Sequence, residues 1–235
     1  MSYDQVLIDE IKTISQIRAA FYSYFSKVFR EPVAEDFIGL TEKYIPHFEE
    51  FAGFSDSDLL KSSVDTLKQY VALEQSSPID EHLNNLNRQF TSIFLLGRSS
   101  VPTSASVYIS VEKLLKREPW EKVCDVYRRR GFKLPENFNE PEDHISMETL
   151  YLKKMSDLVV SLIEKNSLDN IEEILKEHKE FIDDNVLTWV EDFTALTVKQ
   201  SNAAGSHLYG PVAVLMAEFL KYDSELFNFN EPYEH

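Results

Sequence analysis

Apolar residues recur at helical spacing along most of the chain, whereas the alternation that predicts β-strands is almost absent. Residues 5–29 show this clearly, because an isoleucine or an aromatic residue returns every three or four positions. Pro32 ends the pattern, since proline disfavours helical backbone in the residue that precedes it. The pattern therefore predicts one long helix near the start of the chain.

Capping residues, prolines and glycines divide the rest of the chain into further helices. Asp56 and Ser57 can cap one helix, Ser77–Pro78 can begin another, and Gly97 can close it. Pro211 either starts or kinks the last helix. The other helices are expected at about 107–116, 118–131, 140–165, 168–180, 182–199 and 205–221.

No fixed-period repeat, low-complexity tract or Gly/Ser linker interrupts these helices. The pattern predicts an all-α fold, a single globular domain of roughly ten helices over residues 1–235. The length and the 43% hydrophobic composition are sufficient to bury a core. The polar segments 97–105 and 131–139 are the most loop-like connections, and functional residues concentrate on such loops when a rigid scaffold holds them.

The chain is strongly acidic, with 40 acidic and 24 basic residues and a formal net charge of −16. Such a surface repels nucleic acids and anionic membranes but permits a basic peptide as partner. Cys124 is the only cysteine, which excludes an intrachain disulfide and fits a reducing compartment. The N-terminal stretch lacks the apolar core of a signal peptide, and no stretch approaches the roughly 20 apolar residues that span a bilayer. These features predict a cytoplasmic protein without stable membrane insertion.

Familiar catalytic and metal-binding motifs are missing from the sequence. The six histidines form neither H-E-x-x-H nor Glu-x-x-His, and one cysteine cannot build a thiolate zinc site. Gly205 and Gly210 have the spacing of a phosphate-binding loop, but Pro211 and Val212 follow where Lys and Ser or Thr are required. The sequence therefore favours a protein that is not an enzyme and has no metal site and no cofactor of its own, and it leaves open whether a nucleotide or a molybdenum cofactor is bound.

One stretch, NFNEPEDHISMETLYL at 137–152, concentrates polar residues where a loop meets a predicted apolar helix. Local helix stability accounts for part of it. Asn139 and Glu142 have the spacing of a capping box, and Pro141 suits a first helical turn. Carboxylates are also favourable at the positive end of the helix dipole.

The same stretch also has features of a binding site. His144 and Glu148 are four residues apart, so they share one helix face with Tyr151. They could form a polar pair at the mouth of an apolar groove. An arginine guanidinium is the natural partner of clustered carboxylates, because its planar donors match them.

The motif E-P-E-D-H-I-x-x-E at 140–148 resembles the signature of the TorD/DmsD family of redox-enzyme maturation chaperones, which is related to NarJ. The resemblance spans nearly the whole chain. Further matching segments lie at 18–32, 90–94, 101–108, 181–189 and 207–220.

The resemblance implies an all-helical, TorD-like fold and a cytoplasmic chaperone. Members of this family bind the twin-arginine signal peptide, and often the body, of a molybdopterin oxidoreductase precursor. They hold the precursor until its cofactor is inserted, and the precursor is then exported through the twin-arginine pathway. The chaperone itself is expected to be a monomer or a homodimer.

The resemblance also implies a set of peptide-binding residues, in which Asp143 and His144 match the family's central pair. A patch at 90–94 and the loop at 101–108 are expected to line the same groove. The sequence departs from the family at Phe90, where several relatives have Trp, and at Asn185, where His is common. The expected contacts are Glu140, Pro141, Asp143, His144, Glu148, Phe90, Ile93, Phe94, Pro102, Ser106 and Tyr108.

Two other functions stay open at this point. The first is a small helical hydrolase that uses Asp143, His144 and Glu148 as acid–base groups. The second is a subunit of a stable complex, in which the motif only caps a helix. The tandem arginines within 127–132 are not an export signal, because no apolar segment of signal type follows them.

Overall fold

The structure, a computed structural model, describes residues 5–32, 37–74, 79–97 and 99–226. These residues form helices and no strands, and one antiparallel bridge pairs Ser104 with His144. The predicted all-α class is confirmed. The helices are α1 (Gln5–Arg30), α2 (Phe37–Gly53), α3 (Asp58–Glu74), α4 (Ile79–Phe90), α5 (Ala105–Ile109), α6 (Glu118–Arg130), α7 (Ile145–Glu164), α8 (Ile171–Phe181), α9 (Val190–Ala204) and α10 (Tyr209–Glu225).

Several predicted helix ends are confirmed, because local capping chemistry fixes them. The Ser57 hydroxyl accepts a hydrogen bond from the Leu60 amide at 3.2 Å and caps α3. Gly131 ends α6 with a left-handed φ of 64°, which glycine adopts without strain. Pro211 lies in the first turn of α10, where its missing N–H costs no hydrogen bond.

Other boundaries differ from the prediction. The helix expected at 107–116 begins earlier and ends at Ile109, because the backbone of Ser110 is extended with a ψ of 153°. Beyond it, Lys113 and Lys116 adopt left-handed φ values of 55° and 54°. The helix expected at 182–199 starts only at Val190, after a π-helical turn at Ile182–Val186. A second π-helical turn, Thr91–Leu95, extends α4. The start expected at 77–78 lies outside the described residues.

The described helices group into two compact units. The first unit contains residues 5–26, 104–188 and 220–226, and the second contains the described residues of 27–103 and 189–219. Each unit has its own aromatic core. In the first, the rings of Tyr151 and Phe181 lie 4.5 Å apart; in the second, Phe94 contacts the ring of Tyr209 at 5.5 Å. A single domain over the full chain stays a prediction.

A buried ionic network ties three helices of the first unit together. Asp223 of α10 accepts hydrogen bonds from Arg18 Nε and, at 2.5 Å, from the Tyr22 hydroxyl, both on α1. His178 Nε2 of α8 lies 2.9 Å from the same carboxylate. Burial raises the pKa of Asp223, but the Arg18 charge and the His178 hydrogen bond outweigh burial and hold this pKa at about 2. The network therefore contains a carboxylate that stays ionised at neutral pH.

We expect Asp223→Asn to lower the free energy of unfolding at pH 7 by roughly 3–5 kcal/mol, because it leaves the Arg18 charge buried without a carboxylate. Urea denaturation measures this. Since the pKa of Asp223 lies below its ordinary 3.8, the network stabilises the protein above about pH 4 and loses that effect as the pH falls toward 2. Glu180→Gln, which breaks an exposed 3.8 Å pair with Lys176, is the control and should change little. Equal stability of the two variants would contradict the role of the network.

Candidate functional site

The acidic motif at 137–148 forms the end of a loop and the first turn of α7. This helix begins at Ile145, so the capping box expected from Asn139 and Glu142 is wrong. Pro141 precedes the helix and is buried in the loop rather than in a first turn. The reason is that a residue further along the chain, His144, supplies the cap.

His144 is the N-cap of α7 and is only 3% exposed. Its Nδ1 accepts a hydrogen bond from the Ser146 amide at 3.1 Å, so the ring proton is assigned to Nε2. The ring packs edge-on against Phe138, with centroids 5.4 Å apart. Burial lowers the pKa of His144 to about 3, which keeps the imidazole neutral at physiological pH. His144 therefore stabilises the start of a helix and does not present a charged ring to solvent.

Asp143 is fully buried and fastens this loop to the segment 104–106. Its Oδ2 accepts hydrogen bonds from the Ser106 amide, at 2.7 Å, and from the Ser106 hydroxyl. Its backbone carbonyl accepts from the Ala105 amide at 3.0 Å. Burial raises the pKa of Asp143 even though the Ser106 hydrogen bonds lower it. No described residue donates to Oδ1, which leaves a buried carboxylate only half satisfied.

Glu148, in the first turn of α7, is also fully buried. Burial, and then the Glu148 charge, raise the pKa of Tyr127 well above its ordinary value. The Tyr127 side chain is 3% exposed and packs against Phe132 and Tyr151, with ring centroids at 4.6 and 5.0 Å. Its hydroxyl has no hydrogen-bond partner among the described residues.

An open cleft of about 560 Å³ lies beside these buried residues, and we call it the α6 cleft. Glu142 is its half-buried carboxylate and accepts a hydrogen bond from the Trp120 indole N–H. Aromatic faces and carboxylates therefore share one surface. The cleft is lined by Trp120, Glu121, Cys124, Asp125, Tyr127, Arg128, Phe132, Leu134 and Glu142.

The α6 cleft has no nucleophile poised for catalysis. Burial, and then the charges of Glu142 and Asp143, raise the pKa of Cys124 to about 11, so this thiol stays protonated at neutral pH. The neutral, capped imidazole of His144 is not placed to act as an exposed base. Of the acid–base groups expected for a hydrolase, Asp143 and His144 are engaged in holding the loop and the start of α7, and Glu148 is fully buried. The cleft surface offers aromatic rings and carboxylates, which suit binding of a cation.

The remaining predicted contacts fall in two places. Glu140 is exposed in the same loop as the acidic motif. Tyr108 is buried at the end of α5, and its backbone carbonyl accepts a hydrogen bond from the Lys113 ammonium group. The other four lie in the second unit, where three are core residues with 8% exposure or less and one is half-buried. Their part in a peptide groove stays a prediction. These four residues are Phe90, Ile93, Phe94 and Pro102.

Sequence reasoning missed most residues of the α6 cleft. Trp120 is one of only two tryptophans in the chain and follows a helix-starting proline, so its position was a usable signal. The sequence does predict the loop at 131–139, which contributes Phe132 and Leu134 to the lining of the cleft. Which face of α6 turns toward that loop depends on packing, and the helical pattern alone does not specify it.

No group of three or more His, Cys, Asp or Glu side chains in the described ranges could hold a metal ion. No helix within the described part of the chain combines the length and the apolar character that crossing a bilayer requires.

The chain is similar to a family of nitrate reductase delta subunits and to chaperone proteins named TorD. The profile of the family described as "Nitrate reductase delta subunit" matches residues 56–195. Chaperone protein TorD of Vibrio parahaemolyticus is 28% identical over 222 residues, which is 92% of this chain and 97% of that protein. Chaperone protein TorD of Psychrobacter sp. is 26% identical over 209 residues, covering 88% and 90%. A solved structure from Archaeoglobus fulgidus, described as a redox enzyme maturation protein, has a TM-score of 0.46 and 20% identity and covers 86% and 93% of the two chains.

We expect the His144 ring to stay neutral, with its proton on Nε2, from pH 8 down to about pH 4, as imidazole ¹⁵N chemical shifts would report. The unfolded chain takes up a proton here near the ordinary pKa of 6.5, whereas the folded chain does so only near 3. The free energy of unfolding therefore falls as the pH is lowered through this window, by up to roughly 1.4 kcal/mol per pH unit. His144→Asn keeps a capping oxygen but cannot titrate, so it should show a weaker pH dependence. A His144 titration near pH 6.5 would show that the ring is not held as described.

Proposed function

Since this chain belongs to the nitrate reductase delta subunit family, whose profile it matches over residues 56–195, we propose that it is a cytoplasmic maturation chaperone for a molybdopterin-containing oxidoreductase. It binds the twin-arginine signal peptide of the precursor and holds the precursor until its cofactor is inserted, before export. The similarity to TorD chaperones over nine-tenths of the chain supports this role. The observation that carries the binding site is the α6 cleft.

The chemistry of the α6 cleft suits a guanidinium group. Arginine pairs with a carboxylate through two parallel N–H donors, and its planar group also stacks on aromatic rings. Glu142 supplies a half-buried carboxylate, and Trp120 supplies an aromatic ring whose N–H donates to that carboxylate. Tyr127 adds a further aromatic ring to the lining of the cleft. Glu121 adds a further negative charge at the cleft, whereas the Asp125 carboxylate accepts a hydrogen bond from Arg128 at 2.5 Å.

Asp143 and His144 act on the peptide through Glu142. Both are buried, one bonded to Ser106 and the other to the start of α7. They fix the backbone on the C-terminal side of Glu142 and therefore the position of its carboxylate. Of the other predicted contacts in this unit, Glu140 is an exposed charge near the cleft, while Glu148 lies beneath it beside Tyr127.

We expect Glu142→Gln to weaken binding of a twin-arginine signal peptide by roughly 1.5–3 kcal/mol, or about 10- to 150-fold in Kd, because a hydrogen bond between charged groups is lost. Isothermal titration calorimetry with the purified chain and a synthetic peptide measures this. A twin-lysine peptide should bind the unmodified chain more weakly, since lysine lacks the planar pair of donors.

Glu136→Gln is the matched control. Glu136 is exposed in the same loop and does not line the cleft, so this variant makes the same change in charge without touching the proposed site. If both variants lower the affinity equally, the effect is one of net charge. Full affinity in folded Glu142→Gln would place the peptide elsewhere.

A further inference from the structure

The segment between α5 and α6 exposes an unusual amount of apolar surface. Within residues 109–115, which we call the apolar loop, Ile109 is 39% exposed, Val111 96%, Leu114 51% and Leu115 50%. Single exposed apolar residues are ordinary on soluble proteins. Four of them within seven residues form a concentration of the kind that marks an interaction site.

The conformation of the apolar loop is defined by its own contacts. The Lys113 ammonium donates to the Tyr108 carbonyl, and the Lys113 amide donates to the Ser110 carbonyl at 3.3 Å. Lys113 and Lys116 both have left-handed backbone, which costs energy for residues with a Cβ. Strained backbone of this kind persists where surrounding contacts hold it, and it clusters at ligand-binding sites. The fold therefore presents these apolar side chains in a set conformation.

The apolar loop leads directly into the α6 cleft. The Lys116 ammonium lies 5.8 Å from the centroid of the Trp120 ring, within range of a cation–π contact. Trp120 in turn lines the cleft and donates to Glu142. One tryptophan thus joins an apolar surface to an acidic one. Both surfaces belong to the first unit.

We infer that the apolar loop is the docking surface for the apolar segment of the client signal peptide, the stretch that follows the arginines. This inference rests on the proposed function. A signal peptide has a basic region followed by an apolar region of 7–15 residues. With its arginines at Glu142, such a peptide covers Trp120 and then reaches Leu114 and Leu115. The order of chemistry along the chaperone surface matches the order along the peptide.

The loop's own lysines leave the apolar side chains available to such a partner. The Lys113 ammonium is held by a backbone carbonyl, and the Lys116 ammonium lies over an indole ring. An arginine of the client that enters the α6 cleft competes with Lys116 for the same aromatic face. The cation–π contact between Lys116 and Trp120 is then replaced by one between the peptide arginine and Trp120.

The test uses the Leu114→Ser/Leu115→Ser variant and two fluorescent peptides. The first is a complete leader, and the second keeps the twin arginines but ends before the apolar segment. We expect the variant to bind the complete leader roughly 10- to 100-fold more weakly, because two leucine contacts are lost. It should bind the short peptide as the unmodified chain does.

The matched control is Phe54→Ser/Leu59→Ser, which removes two apolar side chains that are 75% and 59% exposed in the second unit. It should leave both affinities unchanged. Val111→Ser provides an independent variant, since a side chain that is 96% exposed contributes little to folding. It should weaken only the complete leader.

The outcomes separate this inference from the proposed function. If the unmodified chain binds neither peptide, the proposed function fails. If it binds the complete leader and the loop variants bind that leader equally well, only the apolar-loop inference is overturned. Sedimentation of the chain without peptide distinguishes a second use of the loop. If the variants keep full affinity for the leader but sediment as monomers where the unmodified chain sediments as a dimer, the inference also fails, because the loop then joins two copies of the chain.

Discussion

The structure of the site depends on one buried carboxylate. Asp143 is withdrawn from water, and a buried charge is tolerated only when hydrogen bonds replace its hydration. The amide and hydroxyl of Ser106 supply these bonds, although the two residues are 37 positions apart in the chain. This contact closes the loop that carries Glu142 and places it beside α6. The hydrogen bond from Trp120 to Glu142 then joins the same loop to α6.

Neighbouring residues of the acidic motif have different tasks because their burial differs. Asp143 and His144 are almost completely buried, and they accept hydrogen bonds from Ser106 and Ser146 of the protein itself. Glu142 is half-buried, and Glu140 is exposed. A charge at the edge of a protein can bind an incoming cation, whereas a buried, bonded charge mainly fixes geometry. The motif therefore combines a rigid support with an accessible carboxylate.

The sequence predicts the helices well, because apolar periodicity and capping residues are local signals. It fails where the backbone departs from regular helix, at the π-helical turn before Val190 and at the left-handed residues Lys113 and Lys116. The sequence alone does not reveal how deeply the motif is buried, since its burial arises from contacts with distant residues such as Ser106. The ring of Phe90, which the resemblance places in the peptide groove, is buried in the second unit, and its part in that groove stays a prediction. The sequence does not reveal the residues of the α6 cleft, because they are distant from Glu142 along the chain and approach it only in the folded protein.

Hydrogen–deuterium exchange of the chain, free and saturated with a twin-arginine signal peptide, tests the central claim most directly. The claim is that the client binds the acidic and aromatic cleft beside α6 and its connecting loops. It predicts slower exchange on binding for the amides of 110–117 and 131–142. Exchange that is unchanged in these segments but slowed within 79–97 would contradict the account and place the client in the second unit.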